Sequence, residues 1–595
     1  MKVYGCFIDF SKAFDSVPRD ILLKKLAAIG INGKIYDIIK TIYSHDKASV
    51  KFGQKYSPTF RTNRGVRQGC VLSPLLFNIF LSDIQKVFDD CGTNPTLNGE
   101  EISALIWADD ILIFDETEHG LQAKLNALGI YCKSNKLQVN TDKTKTMTFT
   151  KSGRLLNHRF FFQGTQLENV REYKYLGFIV TPSGEIKTGL EDLRVRALRA
   201  VTKIRKALGP LFQRNIWNTI HLYNYMVRPI LLYAADFWGC LKQPKDNPIE
   251  KIQLSFYKQL LGVRKQTNTY AVLLELGSFP LKLRAIKASV KNWERIKQSN
   301  CNKLLIAAHT EAKTEKLPWV TTIKDIFESN EMLPTYQSNE IETRESHMPH
   351  MLLFNKMVGT FHQTALDGIK DSSKLRFYSC LKKVTRAEKY LTSISNVKHR
   401  VDLTRLRLSS HSLHIETGRH TATKHEDRTC TLCNTGAIED EVHSLIQCNM
   451  YDDIRSEHLE REQRAILTDH RLTDHEKAVK LLTTDNLNPI AKCIHEIFEK
   501  RKVLLESLNT LNGIIDKVCT DEAHSEKIEK EARITLEHII EKVEKIEKNN
   551  QQIFRTYEVS NIDENGLKIL LKVQNSYRIS NTSDSGLKMV LTKVV

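Results

Sequence analysis

Residues 105–114 constrain the fold of this chain more than any other stretch, because the adjacent Asp109 and Asp110 lie between two apolar runs. Short apolar runs rich in β-branched residues indicate buried strands, so the acidic pair should lie at the tight turn of a hairpin. Burying two adjacent carboxylates is costly unless a partner such as a divalent cation offsets the cost. Asp–Asp pairs are also common in ordinary solvated turns, and the pair alone leaves both interpretations open.

A second apolar run, residues 3–10, carries Asp9 near its end. Three carboxylates that converge from the ends of two strands can hold two divalent cations for phosphoryl transfer. Asp9, Asp109 and Asp110 are therefore the candidate catalytic residues.

The charge of the chain favours a polyanionic partner such as nucleic acid. Its 595 residues carry a formal net charge of +18, although unrelated basic proteins share this property. The length predicts several domains. No apolar run reaches the roughly 18 residues of a membrane span, and the N-terminus shows no secretory signal. Most of the 12 cysteines are isolated, which suits a reducing compartment. We expect an intracellular protein, nuclear or cytoplasmic, with no membrane partner; the oligomeric state is left open.

Periodicity predicts the elements around the carboxylates. Pro18 should open a helix whose apolar face holds Leu22, Leu26 and Ile29, with Gly30 at its end. The other predicted elements are a helix at 34–43, a strand at 48–52, a helix at 118–135, a strand at 143–149, a hairpin from 173, and a basic helix at 185–212.

A glycine-punctuated basic loop, residues 64–69, precedes another predicted helix. Ser73 is a natural N-cap for that helix and Pro74 a natural first residue, and the helix should continue to Val87. Glycines let a substrate approach the backbone closely. The loop alone is weak evidence for phosphate binding, but its place between the two Asp strands makes it informative.

A cysteine and histidine cluster lies far downstream, at Cys430, Cys433, His443 and Cys448. Four nitrogen and sulfur ligands without an open position indicate a structural zinc ion, whereas coincidental spacing among the cysteines is the alternative. The arginines of residues 403–419, among them Arg405 and Arg407, suggest a basic approach to this cluster.

The order of the N-terminal motifs resembles that of reverse transcriptases, and among them those of non-LTR (LINE-like) retrotransposons. Residues 7–15 resemble the first catalytic motif and residues 65–77 the template-and-nucleotide loop and helix. Residues 107–110 are similar to the aromatic-Ala-Asp-Asp box, and residues 140–145 to the lysine motif. Tyr175, Leu176 and Gly177 resemble the primer grip. Five motifs in this order are a specific signal.

The resemblance implies an α+β fold, in which a polymerase palm, an antiparallel sheet with helices on one face, precedes a mostly α-helical thumb. A C-terminal region with a small zinc-binding module should follow. The expected domains are 1–181, palm with incomplete fingers; 182–300, helical thumb-like region; 301–394, linker and helical region, with a polar linker at 310–345; 395–505, Cys/His zinc module with helices; 506–555, charged helix; and 556–595, a tail duplicated with a 20-residue period.

The activity implied is RNA-directed DNA polymerisation, with an RNA template, a DNA primer or target, and dNTPs as partners. Asp9 and Asp109 would bridge two Mg²⁺ ions, and Asp110 would support them. The Cys/His cluster would hold structural Zn²⁺.

Four further residues would contact the nucleotide. Phe14 would lie under the sugar and select dNTPs, unless it only packs in the core. Gln68 and Gly69 would shape the pocket for nucleotide and template. Lys143 would lie near the departing pyrophosphate, unless it is simply an exposed lysine.

Two departures from the family pattern leave alternatives open. Trp107 stands where Phe or Tyr is usual, and eight residues precede Asp9. We therefore expect an N-terminally truncated enzyme, without endonuclease and complete fingers and with impaired activity. A catalytically inactive nucleic-acid-binding remnant and a group II intron-type maturase are the alternatives.

Overall fold

The computed structural model of the chain describes residues 2–154, 156–242, 247–298, 302–337, 348–433 and 435–520, and the backbone of 557–563, 566–570 and 590–591; side chains are described up to residue 510. These residues group into two units, each formed by separate stretches of chain. Unit 1 comprises Met1–Ala200, Met226–Lys251 and Leu281–Met357. Unit 2 comprises Val201–Tyr225, Ile252–Pro280 and Val358–Val595.

The elements of the N-terminal part of unit 1 are, in chain order, β1 (Lys2–Ile8), α1 (Ala13–Ser16), α2 (Arg19–Ala28), α3 (Lys34–Ser44), β2 (Lys47–Ala48), β3 (Lys51–Phe52), β4 (Lys55–Tyr56), β5 (Phe60–Arg61), α4 (Ser73–Phe80), α5 (Ile84–Asp89), β6 (Thr96–Leu97), β7 (Glu100–Glu101), β8 (Ala104–Trp107), β9 (Asp110–Asp115), α6 (Glu118–Asn135), β10 (Lys145–Thr150), β11 (Phe160–Phe162), β12 (Thr165–Asn169), β13 (Tyr173–Tyr175) and β14 (Phe178–Val180).

The next elements are α7 (Lys187–Leu208), a 3-10 helix at Gly209–Gln213, α8 (Ile216–Met226), α9 (Arg228–Leu231), α10 (Ala235–Trp238), α11 (Pro248–Leu261), α12 (Thr269–Glu275), α13 (Leu281–Gln298), α14 (Lys303–Thr314), α15 (Pro318–Ser329), α16 (Leu333–Gln337) and α17 (Pro349–Lys370).

The remaining elements are α18 (Arg376–Leu381), α19 (Tyr390–Ser393), α20 (Val397–Arg407), α21 (His414–Thr417), a π-helical turn at His443–Gln447, a 3-10 turn at Asn449–Tyr451, α22 (Asp452–His458), α23 (Arg461–Thr468), α24 (Asp474–Leu481), α25 (Asn488–Thr520), β15 (Tyr557–Asp563), β16 (Gly566–Leu570) and β17 (Val590–Leu591).

A six-stranded sheet of order β11-β12-β10-β1-β9-β8 forms the centre of unit 1. Its pairs are antiparallel, as expected for a palm, except that β10 and β12 run parallel. Side chains alternate between the two faces of a strand. Tyr4, Cys6 and Ile8 of β1 accordingly pack with the buried residues of α2, α4 and α6, whereas Phe7 lies on the opposite face with Leu112 and Met147. The predicted α+β class, with helices on one face of the sheet, is confirmed.

Several local predictions differ from the structure in detail, among them the single helix expected from Ser73 to Val87, which is divided into α4 and α5. Ser73 is the first residue of α4 and Leu72 its N-cap, so Ser73 provides no cap and instead donates its hydroxyl to the Arg67 carbonyl oxygen. Ile29 follows α2 as its C-cap and is exposed, because the chain turns at Gly30 with φ 88°. The run before the Asp pair is not buried either: β8 is an edge strand and exposes Trp107.

The polar stretch expected as a linker at 310–345 is helical over much of its length. It contains the end of α14 and all of α15 and α16. Val320, Ile323 and Phe327 of α15 are buried, and Phe327 lies 5.4 Å from the ring of Trp293. The regular spacing of these three residues forms an apolar stripe, which the polar residues around it concealed in the sequence.

A buried ionic network occupies unit 2. Arg407 Nε lies 2.8 Å from Glu275, and Arg407 Nη2 lies 2.8 Å from Glu388. Tyr378 and Tyr390 donate their hydroxyls to Glu275. The prediction that Arg407 belongs to a basic approach was therefore wrong, because its guanidinium is enclosed and neutralised.

Some C-terminal predictions fall on residues outside the description. The charged helix expected at 506–555 is described only as far as Thr520, within α25, and most of the second repeat also lies outside the description. Within the described residues, no helix is long and apolar enough to cross a membrane.

Candidate active site and metal centre

The topology of the sheet brings the three candidate carboxylates to one end of two neighbouring strands. Ile8 of β1 lies opposite Ile111 of β9, so Asp9, the residue after β1, comes beside Asp110. Ala108 and Asp109 form the turn between β8 and β9, where Ala108 has the left-handed φ of 53° and Trp107 pairs with Asp110. The hairpin turn predicted from the sequence is therefore present.

Negative charge accumulates at this end of the sheet. Burial raises the pKa of Asp110, and the neighbouring Asp109 and Asp9 raise it further. Burial, followed by Asp9 and Asp110, also raises the pKa of Tyr173 to about 12. Carboxylates whose negative charges act on one another in this way are stabilised when a divalent cation binds between them.

The lysine motif is attached directly to the end of β1. The hydroxyl of Thr144, which is fully buried, accepts a hydrogen bond of 3.2 Å from the backbone amide of Asp9. The backbone amide of Asn140 donates to the backbone carbonyl of Asp9 at 2.8 Å. This attachment brings Lys143 Nζ to 3.8 Å from Asp9 Oδ2, although most of the lysine side chain remains exposed. The roles of Asn140 and Thr144 in fixing Asp9 were not predicted, because only their contacts across the fold reveal them.

The loop before α4 packs against α1. The Val66 amide donates to the Phe14 carbonyl at 2.8 Å, and Gln68 Nε2 donates to Asp15 Oδ1 at 2.9 Å. The Phe14 ring stacks on Phe77 with the centroids 4.7 Å apart. Phe14 and Gln68 are therefore both held at the contact between this loop and α1. Gly69 has φ 81° and open space around it, so its conformation is the reason for glycine there.

Tyr175, Leu176 and Gly177 form the end of β13 and the turn to β14. Leu176 and Gly177 both have positive φ, 46° and 80°. The hairpin packs on the face of the sheet opposite the helices, where Tyr173 stacks on Phe7 at 4.1 Å and Tyr175 lies 5.5 Å from the same ring. The predicted primer grip therefore lies against β1, the strand that leads to Asp9.

The four predicted zinc ligands converge in unit 2. The ligand atoms of Cys430, Cys433, His443 and Cys448 lie within 4.8 Å of one another, and all four residues are buried. Hydrogen bonding to Cys448, with help from His443, holds the pKa of the Cys430 thiol well below its ordinary value. Three sulfurs and one imidazole nitrogen at this separation fit a tetrahedral Zn²⁺ site.

Neighbouring side chains orient His443. Its amide donates to Asp440 Oδ1 at 2.8 Å, and its Nδ1 lies 3.4 Å from Gln447 Oε1. Gln447 Nε2 in turn donates to Asp474 Oδ2 at 3.0 Å. The other ring nitrogen, Nε2, lies 3.4 Å from Cys433 Sγ, so the imidazole faces the cysteines. These supporting residues were not predicted from the motif spacing.

Residues 1–180 match the family described as reverse transcriptase (RNA-dependent DNA polymerase). The motifs, the sheet and the carboxylates at its end agree with that match, which supports a reverse transcriptase domain in this part of the chain.

The chain is also similar to curated proteins from retrotransposable and mobile elements. The chain is 31% identical over 228 residues to the Retrovirus-related Pol polyprotein from type-1 retrotransposable element R2 of Nasonia vitripennis, covering 36% of this chain and 22% of that protein. It is 27% identical over 269 residues to the RNA-directed DNA polymerase from mobile element jockey of Drosophila funebris, covering 43% of this chain and 28% of that protein. The chain thus spans less than a third of the length of these relatives.

A solved structure of telomerase from Candida albicans, in complex with a TWJ fragment of telomeric RNA, is also similar. It has 15% sequence identity and a TM-score of 0.28, covering 61% of this chain and 50% of that chain. A similarity at that level adds nothing to the fold described above.

Proposed function

We propose that this chain is an RNA-directed DNA polymerase that extends a DNA 3′ end by copying RNA, as part of a non-LTR retrotransposon. The observation that carries the proposal is the register of β1 on β9. It brings Asp9 beside Asp109 and Asp110, within a domain that matches reverse transcriptases. An RNA template, a DNA primer or target and dNTPs are the proposed partners, and the nucleus or cytoplasm the proposed location.

The carboxylates are the proposed metal ligands. Asp9 and Asp109 would hold two Mg²⁺ ions, with Asp110 beside them. When bound, these ions favour ionisation of the primer hydroxyl and neutralise charge on the phosphates. The pairing of β1 with β9 and of β8 with β9 supports this assignment, because it brings the three carboxylates to one end of the sheet.

Other side chains would place the nucleotide. The stacked rings of Phe14 and Phe77 form a rigid support for the sugar, and Asp15 fixes the Gln68 amide beside it. The Lys143 ammonium, 3.8 Å from Asp9, is suited to neutralise or protonate the departing pyrophosphate. The zinc module would stabilise the C-terminal fold through Cys430, Cys433, His443 and Cys448.

Primer extension on poly-rA annealed to oligo-dT tests the proposal. Asp109→Asn should reduce the rate by about a thousandfold or more, because it removes a ligand of a two-ion site. Asp90→Asn, the same change at an exposed residue after α5, is the matched control. Near-normal extension by Asp109→Asn would contradict the assignment. Salt-sensitive nucleic-acid binding without extension by the parent chain would instead support the inactive remnant.

A further inference from the structure

We propose that Tyr233 and Arg196 are positioning residues for the primer 3′ end, acting through the turn at Leu176 and Gly177. The inference rests on the proposed function, since it assigns the residues that set the position of its primer grip. All of the residues involved belong to unit 1.

Two side chains hold two successive carbonyl groups of this turn. The Tyr233 hydroxyl donates to the Leu176 carbonyl oxygen, and Arg196 Nη2 donates to the Gly177 carbonyl oxygen at 2.9 Å. Both turn residues have positive φ, a conformation that a leucine adopts only when its surroundings impose it. The two hydrogen bonds are therefore what fixes the orientation of this turn.

The clamp formed by Tyr233 and Arg196 is itself supported. The guanidinium of Arg196 lies 5.8 Å from the centroid of the Tyr233 ring, and its Nε lies 3.0 Å from Asp192. The Tyr233 carbonyl accepts a hydrogen bond of 2.7 Å from the indole of buried Trp238. The Tyr233 side chain packs closely against the turn, because a Cβ added to Gly177 would lie 3.0 Å from the Tyr233 hydroxyl oxygen.

The hairpin that carries this turn packs beside the strand that leads to Asp9, since Tyr173 stacks on Phe7 at 4.1 Å. Asp9 and Asp110 both raise the pKa of Tyr173, and Asp110 raises that of Tyr175, in each case after the larger effect of burial. A shift of the turn would therefore move side chains that adjoin the catalytic centre.

The surface at the clamp suits the end of a nucleic-acid strand. Leu176, Tyr233 and Phe237 are exposed by 39%, 43% and 51%. Exposed aromatic rings offer stacking surfaces for the bases of a nucleic-acid strand. The ligand class is thus the last nucleotides of a primer strand, positioned by rings and by a turn that the clamp holds still.

Hydrogen exchange of the full chain tests the clamp without requiring catalysis. Tyr233→Phe removes the hydroxyl but keeps the ring, so the amides of residues 174–178 should exchange about tenfold faster. Tyr225→Phe is the control, since Tyr225 is 79% exposed. Equal exchange in the two variants would overturn the clamp.

Cross-linking and kinetics test its role at the primer. A template–primer carrying 5-iodo-deoxyuridine at its 3′ terminus should cross-link to residues 173–178 or to Tyr233; cross-linking elsewhere would overturn the assignment. In primer extension, Tyr233→Phe should lower kcat about tenfold and leave the affinity for template–primer within about twofold of the Tyr225→Phe value.

The outcomes separate the inference from the proposed function. If the parent extends primers and Tyr233→Phe behaves as Tyr225→Phe does, the clamp is wrong and the polymerase assignment stands. If the parent extends no primer, the polymerase assignment fails, while hydrogen exchange and cross-linking still decide whether the clamp holds a turn at a bound 3′ end.

Discussion

At the scale of single residues, the orientation of one imidazole decides whether the Cys/His cluster can bind an ion. His443 carries its proton on Nδ1 when it donates to Gln447 Oε1, and Nε2 then remains free as a ligand. The second hydrogen bond of Gln447, to Asp474, prevents the amide from turning away. Loss of such a supporting contact typically costs a metal site about tenfold to a hundredfold in affinity.

Gln447→Ala should therefore weaken zinc binding by about tenfold to a hundredfold while leaving all four ligands in place. Competition with a chromophoric chelator, using the full chain, measures the affinity. Gln298→Ala, at an exposed position ending α13, is the matched control. An unchanged zinc affinity in Gln447→Ala would show that the imidazole is oriented by other contacts.

At the scale of elements, strand position determines which apolar residues are buried. The runs on both sides of the Asp pair have similar composition, yet β9 is central and buried whereas β8 lies at the edge of the sheet. Composition predicts that a strand forms, but the order of strands in the sheet depends on partners distant in sequence. For this reason the hairpin was predicted correctly and the burial of β8 was not.

Two tryptophans of unit 1 provide a direct comparison of these environments. Trp107, in the edge strand β8, is 68% exposed, whereas Trp238 is 2% exposed and donates a hydrogen bond to the Tyr233 carbonyl. Trp107→Phe should change the free energy of unfolding by less than about 0.5 kcal/mol. Trp238→Phe should lower it by about 2 kcal/mol, because it leaves a cavity and an unpaired carbonyl. Urea unfolding of both variants is the measurement, and equal effects would contradict the assigned burial.

At the scale of the whole molecule, contacts between distant parts of the sequence were the least predictable. Local signals identified the Asp hairpin, the lysine motif and the Cys/His spacing, because each depends on neighbouring residues. Arg407 and Glu275 are separated by 132 positions, and no local pattern connects them. The same limitation concealed Tyr233 and Arg196, whose partners lie in the turn at Leu176 and Gly177.

Removal of Arg407 should show how strongly unit 2 depends on its buried network. Arg407→Met should lower the free energy of unfolding at neutral pH by about 3–5 kcal/mol, because Glu275 would be left buried without its principal cation. Arg461→Met, at the exposed start of α23, is the control.

The pH dependence of this loss has a definite sign. Burial raises the pKa of Glu275, but Arg407 and Lys382 outweigh it and hold the pKa below its ordinary value. The parent therefore gains stability from this carboxylate above its unfolded pKa and loses that gain as pH falls. In Arg407→Met, burial dominates and the Glu275 carboxyl becomes protonated. The difference in free energy of unfolding between this variant and the parent should therefore shrink as pH is lowered. A deficit independent of pH would mean that lost packing, rather than charge, explains it.

The catalytic assignment predicts that the purified chain copies an RNA of defined mixed sequence into DNA when Mg²⁺ and dNTPs are supplied. The products should be the complement of the template, and Asp9→Asn and Asp109→Asn should each abolish them to a similar extent. The double variant should be little worse than either, because the two carboxylates act as one unit. Products that do not copy the template, or template copying that survives Asp109→Asn, would contradict the assignment of the catalytic centre.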